Sequence, residues 1–179
     1  MKFLFSLAAI VLSMSASSQT SIYSIQLDSI AGSSTINFAA FQGKKILVIN
    51  SASGDSTNAQ YSQIKQLNTL YKDSLVVIVI PSNSFNSENG SESLMLSFYS
   101  QDANNRFPVA AKVSVKGVDI HPLYEWLTQK VKNGVMDSEV RRPFQKYLIS
   151  RSGGLIGVFS AAIKPLDAPI IRAINTNSN

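Results

Sequence analysis

Few side chains in this sequence could carry out chemistry. The 179 residues include no cysteine and a single histidine, His121. Without cysteine the chain can form no disulfide, no thiolate metal site and no reaction that cycles a sulfur atom. A lone imidazole could act as a general base, but the sequence around His121 suggests no catalytic triad. We therefore expect His121 to be structural, at the entry to a helix.

A second candidate is the polar turn at residues 53–56 (SGDS), which lies between an apolar run and a helix-length segment. Thr57 and Gln60 fit a capping box, in which each side chain satisfies the backbone N–H of the other. Asp55 is favourable at such a position because of the positive end of the helix dipole. The sequence favours this helix-capping interpretation of Asp55, and it leaves open a carboxylate that works in a cavity.

Charge and composition exclude several classes of function. The chain has 16 basic and 11 acidic residues, and the excess of positive charge lies in its second half. No run of Lys and Arg interleaved with aromatic residues indicates nucleic-acid binding. Arg141, Arg142, Lys146 and Arg151 cluster in sequence, and we expect them to be ordinary surface cations. With one His and no Cys, we expect neither a metal site nor a cofactor.

Hydrophobic periodicity predicts the elements that position these residues. Alternating residues at 22–27 and 35–38 predict a β-hairpin. The continuous apolar runs at 46–50 and 75–80 predict strands buried on both faces, and the segment between them has apolar residues at helical spacing. This order predicts a parallel βαβ unit with a right-handed crossover.

The remaining chain predicts three more helices and a second hairpin. The helices are predicted at 92–101, where the apolar residues are dense enough for a buried helix, at 122–131 and at 165–174; the strands are predicted at 144–149 and 155–159. Pro169 fits poorly inside the last helix and could divide it.

Five strings occur in one order along the chain. They are residues 46–53 (ILVINSAS) followed by Gln60-Tyr61, residues 80–85 (IPSNSF), 107–113 (FPVAAKV), 121–127 (HPLYEWL) and 144–148 (FQKYL). Together they resemble the glutathione peroxidase family, whose activity is thiol-dependent peroxide reduction. The resemblance implies an α/β, thioredoxin-like fold, with a mixed sheet of about seven strands flanked by about four helices.

The resemblance also implies that the catalytic positions of the family are substituted. Asp55 stands where the family has its catalytic cysteine or selenocysteine, Ser84 stands for a glutamine, and Arg142 and Pro143 stand for a tryptophan–asparagine pair. Aspartate has no sulfur to oxidise, and proline has no N–H to donate. The peptide bond before Pro143 could be trans or cis. We expect none of these four residues to be catalytically active.

The accessory cysteine positions of the family fall on Ser82 and Tyr99. Because all six positions differ, we expect a pseudoenzyme that acts by binding an unknown protein or small-molecule ligand. The alternative is an enzyme of another class that uses Asp55 or Ser56 in the remodelled cavity. Since the family brings the positions of Asp55 and Arg142 together, we also expect these opposite charges to pair and fill the cavity.

The first residues have the pattern of a secretory signal peptide. Lys2 supplies a positive charge, a short apolar run follows, and small residues suited to cleavage come next. We expect residues 1–18 to be removed, residues 19–175 to form one domain and residues 176–179 to be a disordered tail. The apolar run is too short to span a bilayer, so we expect a periplasmic or secreted protein. The chain lacks the loop insertion by which tetrameric family members assemble, which implies a monomer.

Overall fold

A computed structural model of the chain describes residues 19–32, 34–54, 59–88, 90–99 and 107–177. The predicted signal peptide and the last two residues of the predicted tail lie outside these ranges. The described residues form six β-strands and five α-helices, where the sequence predicts about seven and about four.

The sheet is mixed, as the resemblance implies. The strands are β1 (Gln26–Asp28), β2 (Thr35–Asn37), β3 (Lys45–Ser51), β4 (Leu75–Pro81), β5 (Lys146–Ile149) and β6 (Leu155–Phe159), and the α-helices are α1 (Tyr61–Leu70), α2 (Glu92–Tyr99), α3 (Pro122–Thr128), α4 (Lys130–Asn133) and α5 (Ala168–Asn175). β1 and β2 form the predicted first hairpin, but the strand predicted over 22–27 begins only at Gln26, because Ile22–Ser24 is a turn of 3₁₀ helix. The other four strands form a sheet in the order β4-β3-β5-β6. β3 is parallel to β4 and antiparallel to β5.

Side chains of the central strand alternate between two hydrophobic cores. Ile46 and Val48 pack in a core with the hairpin and α3, whereas Leu47 and Ile49 pack in a core with α1 and α5. All seven residues of β3 are buried. This is the burial that a continuous apolar run predicts for a strand covered on both faces. The predicted βαβ unit is confirmed as β3, α1 and β4.

Two predicted helices have different bounds in the structure. The helix predicted over 122–131 ends at Thr128, because Gln129 is extended, with φ −109° and ψ 119°. The short helix α4 follows and stops at Gly134, whose φ of +76° is in the left-handed region that favours glycine. At the end of the chain, α5 begins at Ala168 and not at 165. Pro169 therefore lies in the first turn, where its missing N–H costs nothing, and does not divide the helix.

The helix predicted at 92–101 is present as α2, but the prediction that it is buried is wrong. Met95 is its one buried side chain among those described, and Leu94 is 65% exposed. Density of apolar residues indicated burial, whereas their positions around the helix leave several of them facing solvent.

Candidate functional site

Three segments of the chain meet at one edge of the sheet. Since β3 and β4 are parallel, their carboxyl ends lie together, and antiparallel β5 begins at the same edge. The N–H of Ser82 donates to the carbonyl of Ser51 at 3.0 Å, and the N–H of Phe144 donates to the carbonyl of Asn50 at 2.7 Å. The segments that carry three of the four substituted family positions therefore converge here.

The fourth position is not among the described residues. Asp55 and Ser56 both lie outside them. The side chain of Arg142 is exposed. The predicted pairing of Asp55 with Arg142 therefore stays a prediction.

The capping box predicted before α1 is described at one end only, because Thr57 lies outside the described residues. Gln60 is buried, and its side chain makes contacts away from the turn. Its Nε2 donates to the carbonyl of Ala161 at 2.9 Å, and its Oε1 accepts from Lys146 Nζ at 2.6 Å. Gln60 thus links the start of α1 to β5 and to the chain beyond β6.

Ser84 is bonded within its own neighbourhood. Its Oγ accepts a hydrogen bond from Ser82 Oγ and another from the backbone N–H of Val115, both at 3.1 Å. A hydroxyl oxygen has two lone pairs, so both are occupied. Ser84 therefore ties the loop after β4 to the segment around Val115.

The segment before β5 holds a strained residue. The carbonyl of Arg142 accepts from Asn50 Nδ2 at 3.0 Å, and buried Pro143 offers no N–H. The peptide bond before Pro143 is trans, since no peptide bond in the described part of the chain is cis. Phe144 has a φ of +64°, which is uncommon for a residue with a Cβ. Its ring packs 5.2 Å from that of Tyr61, between centroids, which holds the strained conformation in place.

A buried carboxyl group from the loop after β4 lies beside the residues that follow β3. Glu88 is 0% exposed. Its oxygens accept from the Ser53 N–H at 2.7 Å, from Ser53 Oγ at 2.6 Å and from the Tyr99 hydroxyl at 3.0 Å. The loop of Glu88 can approach this closely because Gly54 donates to the carbonyl of Ser87, and a Cβ at Gly54 would lie 2.7 Å from that oxygen. No basic nitrogen of the described residues is within ion-pair distance of Glu88.

Tyr99, which the resemblance assigns to an accessory cysteine position, is the centre of this network. Its hydroxyl lies 3.0 Å from Ser51 Oγ and accepts from the Tyr61 hydroxyl at 3.0 Å, in addition to its contact with Glu88. The rings of Tyr61 and Tyr99 are packed edge to face. Burial raises the pKa of both phenols, so they stay neutral donors at physiological pH. We call Ser51, Ser53, Tyr61, Glu88 and Tyr99 the Glu88 network.

His121 has the structural position that the sequence predicts. It is the N-cap of α3, and its Nδ1 accepts from the N–H of Leu123 at 3.1 Å. Partial burial lowers the pKa of His121, although the charge on Asp28 opposes this shift. A neutral imidazole is the form that can accept this capping bond.

One of the four clustered cations is not at the surface. The three arginines are exposed, but Lys146 is 0% exposed, so its assignment as a surface cation is wrong. It lies in β5, whose four residues are all buried because both faces of the strand are covered. Its Nζ donates to Gln60 Oε1 at 2.6 Å and to the carbonyl of Ile163 at 2.5 Å. Loss of hydration by burial lowers its pKa to about 8, although the charge on Asp167 opposes the shift.

Within the described ranges, no three His, Asp or Glu side chains are grouped so that they could hold a metal ion. No helix of those residues has the length and apolar character needed to cross a bilayer. Among the described residues, the edge offers a set of hydroxyls, the carboxyl group of Glu88 and several aromatic rings. These groups bind and orient through hydrogen bonds, and none of them can be oxidised and reduced in a thiol cycle.

Sequence reasoning missed Glu88. It is the only charged residue between Asp73 and Glu92, in a loop otherwise rich in Ser and Asn. That composition indicates an exposed turn, and a carboxylate in such a turn is ordinarily solvated. The one feature of the sequence that singles out Glu88 is its position as a lone charge in a long uncharged segment after a buried strand.

Comparison with known proteins places these observations among homologues. The family model described as "Glutathione peroxidase" matches residues 22–128. The glutathione peroxidase homolog BsaA of Bacillus subtilis is 29% identical over 158 residues, which cover 86% of this chain and 98% of that protein. The glutathione peroxidase-like peroxiredoxin gpx1 of Schizosaccharomyces pombe is 34% identical over 131 residues, which cover 72% and 82% of the two chains.

A solved structure gives the same result for the fold. The crystal structure of Trgpx in apo form is 30% identical and superposes with a TM-score of 0.64, over 89% of this chain and 98% of that one. The predicted thioredoxin-like α/β fold is confirmed, with about six strands in place of about seven.

Proposed function

This chain belongs to the glutathione peroxidase family, and from that premise we propose that it is an exported, catalytically inactive member that acts by binding a ligand or partner. The observation that carries the proposal is the complete absence of cysteine from the 179 residues. Thiol-dependent peroxide reduction needs a sulfur atom that attacks the peroxide and is then reduced again. Methionine is the only type of sulfur-containing residue in the chain, with four copies. It is consumed stoichiometrically by peroxide and forms no such cycle within the protein.

The Glu88 network supports the proposal from the structural side. Tyr99 stands at an accessory cysteine position, and its hydroxyl is bonded to a buried carboxylate at the end of β3. These hydroxyl and carboxyl oxygens cannot carry out the sulfur chemistry of the family. Ser84, at the family's glutamine position, has both lone pairs occupied by its own loop and by Val115. Among the described residues, the side chains of the Glu88 network are therefore bonded to one another, and Ser84 is bonded to Ser82 and Val115.

We expect the purified protein to show no catalytic peroxide reduction with glutathione or thioredoxin as the reductant. The measurement is a coupled peroxidase assay, with heat-inactivated protein as the blank and an active cysteine-containing relative as the positive control. Peroxide consumption that stops at stoichiometric amounts agrees with methionine oxidation. Sustained turnover would refute the proposal.

The variant Asp55→Cys sharpens this test, because it restores only the sulfur. We expect little activity from it, since the glutamine, tryptophan and asparagine side chains that the family places around its thiolate are replaced here by Ser84, Arg142 and Pro143, and proline has no donor at all. Activity close to that of the positive control would mean that the surrounding residues still support catalysis, which contradicts a site lost as a whole.

Export is proposed from the first 18 residues, and a monomer from the missing loop insertion. Cleavage of the predicted signal peptide is expected to give a mature N-terminus between Ser18 and Thr20. N-terminal sequencing of the protein purified from periplasm and medium measures this directly. Intact Met1 on protein from a membrane fraction would contradict it.

Size-exclusion chromatography with light scattering tests the monomer on the same sample.

A further inference from the structure

An open groove of about 680 Å³ lies between the loop after β4 and residues 112–119. Ser84, one of the substituted family positions, lines it together with Lys112, Lys116 and Asp119. We propose that this groove binds a small molecule that carries an oxyanion, either a carboxylate or a phosphate. The inference rests on the proposed function, because it names the site and the ligand class through which a non-catalytic member would bind.

Ser84 presents a hydrogen-bond donor to the groove. Its oxygen already accepts from Ser82 Oγ and from the N–H of Val115. With both lone pairs used, the hydroxyl can make one more bond, in which it donates its own hydrogen. No acceptor for that hydrogen is found among the described residues, so the group that completes Ser84 is an acceptor on a ligand or on water.

Two ammonium groups add positive charge to the same lining. Lys112 and Lys116 are exposed, and neither lies within ion-pair distance of a carboxylate in the described part of the chain. Lys116 Nζ is 4.0 Å from the centroid of the Phe85 ring, and this cation–π contact holds the ammonium beside the loop after β4. The position of one cation is thus fixed before a ligand arrives.

Asp119 is the one carboxylate of the lining, and its charge does not cancel that of the lysines. Its Oδ2 accepts from Ser114 Oγ at 2.5 Å. Two ammonium groups and one carboxylate leave the lining with a net charge of +1. A hydroxyl that can only donate and a surplus ammonium both select an acceptor with negative charge, and charge-assisted hydrogen bonds to carboxylate or phosphate oxygens are the strongest that these groups form.

The experiment is a titration of the ¹⁵N-labelled protein with sodium phosphate and, separately, with citrate, at constant ionic strength. The amide of Val115 reports on the site because it donates to Ser84. We expect a saturable shift of that amide with at least one anion. The double variant Lys112→Gln/Lys116→Gln is expected to weaken binding about tenfold or more. The matched control Lys130→Gln/Lys164→Gln removes the same charge from exposed lysines outside the groove and is expected to change affinity less than about twofold.

Ser84→Ala, followed by calorimetry, is expected to weaken binding about fivefold through loss of one donor. Absence of saturable binding with both anions, or an equal loss in the Lys130/Lys164 control, would overturn the assignment of the groove. Saturation with citrate but not phosphate, or the reverse, supports it and identifies the oxyanion. The peroxidase assay remains separate: turnover would refute the proposed function, whereas a turnover-free protein that binds neither anion would refute the groove alone.

Discussion

The free energy of unfolding is expected to rise by about 2 kcal/mol between pH 7.5 and 9.5, and the variant Lys146→Met is expected to lose most of that rise. Burial holds the pKa of Lys146 at about 8 in the folded protein, whereas an unfolded lysine has its ordinary value of 10.5. Between these two values the unfolded chain binds a proton that the folded chain has released. Stability therefore increases with pH across this window.

Other titrating groups also change the free energy of unfolding with pH, and they limit the pH range in which Lys146 dominates. Burial also lowers the pKa of Lys45, which adds a contribution of the same sign. The buried tyrosines act in the opposite direction, since burial raises the pKa of Tyr147 to about 12 and that of Tyr61 well above 10. Folded protein then keeps phenol protons that the unfolded chain loses, so stability falls above about pH 10. The difference in stability between the wild-type protein and Lys146→Met, measured by urea denaturation in steps up to pH 9.5, isolates the Lys146 contribution, because the tyrosines and Lys45 are common to both proteins.

The control for Lys146→Met is Lys164→Met, which removes an exposed lysine and should keep the wild-type rise. The relevant measurement is the change of the free energy of unfolding with pH, not its absolute value. Lys146→Met also leaves Gln60 Oε1 and the Ile163 carbonyl without their donor, and so it destabilises the protein at every pH. If the variant does not fold, NMR titration of ¹³C-labelled lysine in the wild-type protein gives the pKa of Lys146 directly. A wild-type stability that is flat or falling over this range would contradict the prediction.

Most of the fold could be predicted from sequence because its core consists of uninterrupted apolar runs. Residues 46–50 and 75–80 have no plausible state other than strands buried on both faces, and the helical spacing between them requires a crossover. The errors lie where periodicity gives no information. Nothing in the apolar pattern of 122–131 reveals that Gln129 is extended, and the side of α2 that meets the core depends on the fold of the rest of the chain.

The candidate site was predictable only in part. The resemblance located Ser84, Arg142, Pro143 and Tyr99, and all four lie on segments that meet at or pack against one edge of the sheet. Their contacts depend on side-chain directions that no local pattern specifies. Lys146 shows the reason: a lysine four residues after Arg142 has the composition of a surface position, yet both faces of β5 are covered and its amine contacts Gln60. The position of Glu88 equally depends on long-range contacts, since two of its donors belong to Ser53, two residues after β3, and the third is the Tyr99 hydroxyl of α2.

The second large effect is expected at that carboxylate. Glu88→Ala should destabilise the protein by about 3 kcal/mol, because it leaves the Ser53 N–H, the Ser53 hydroxyl and the Tyr99 hydroxyl without their acceptor in a buried site. Glu88→Gln keeps the shape and one carbonyl oxygen, so its cost should be nearer to about 1 kcal/mol. Urea denaturation of the purified variants at pH 7 provides the values.

A double-mutant cycle shows whether these groups act as a unit. Tyr99→Phe removes the hydroxyl that connects Glu88 with Ser51 and Tyr61. Combined with Glu88→Ala, it should cost less than the sum of the single changes, by about 1 kcal/mol or more, since the bond between the two residues is lost only once. Tyr71→Phe is the matched control: its hydroxyl does not contact the network, so its effect should add to that of Glu88→Ala.

The cycle also bears on the proposed lack of catalysis. If Glu88 and Tyr99 are coupled, the position that the resemblance assigns to an accessory cysteine has a structural role, since it joins α2 to Ser53, just after β3. The groups of this network are oxygen atoms, and none of them can replace the sulfur that peroxide reduction in this family requires. Strict additivity of Glu88→Ala and Tyr99→Phe would show that the network carries no such cooperative role. The Glu88 network would then be a set of separate contacts, and the absence of cysteine alone would account for the expected lack of peroxidase turnover.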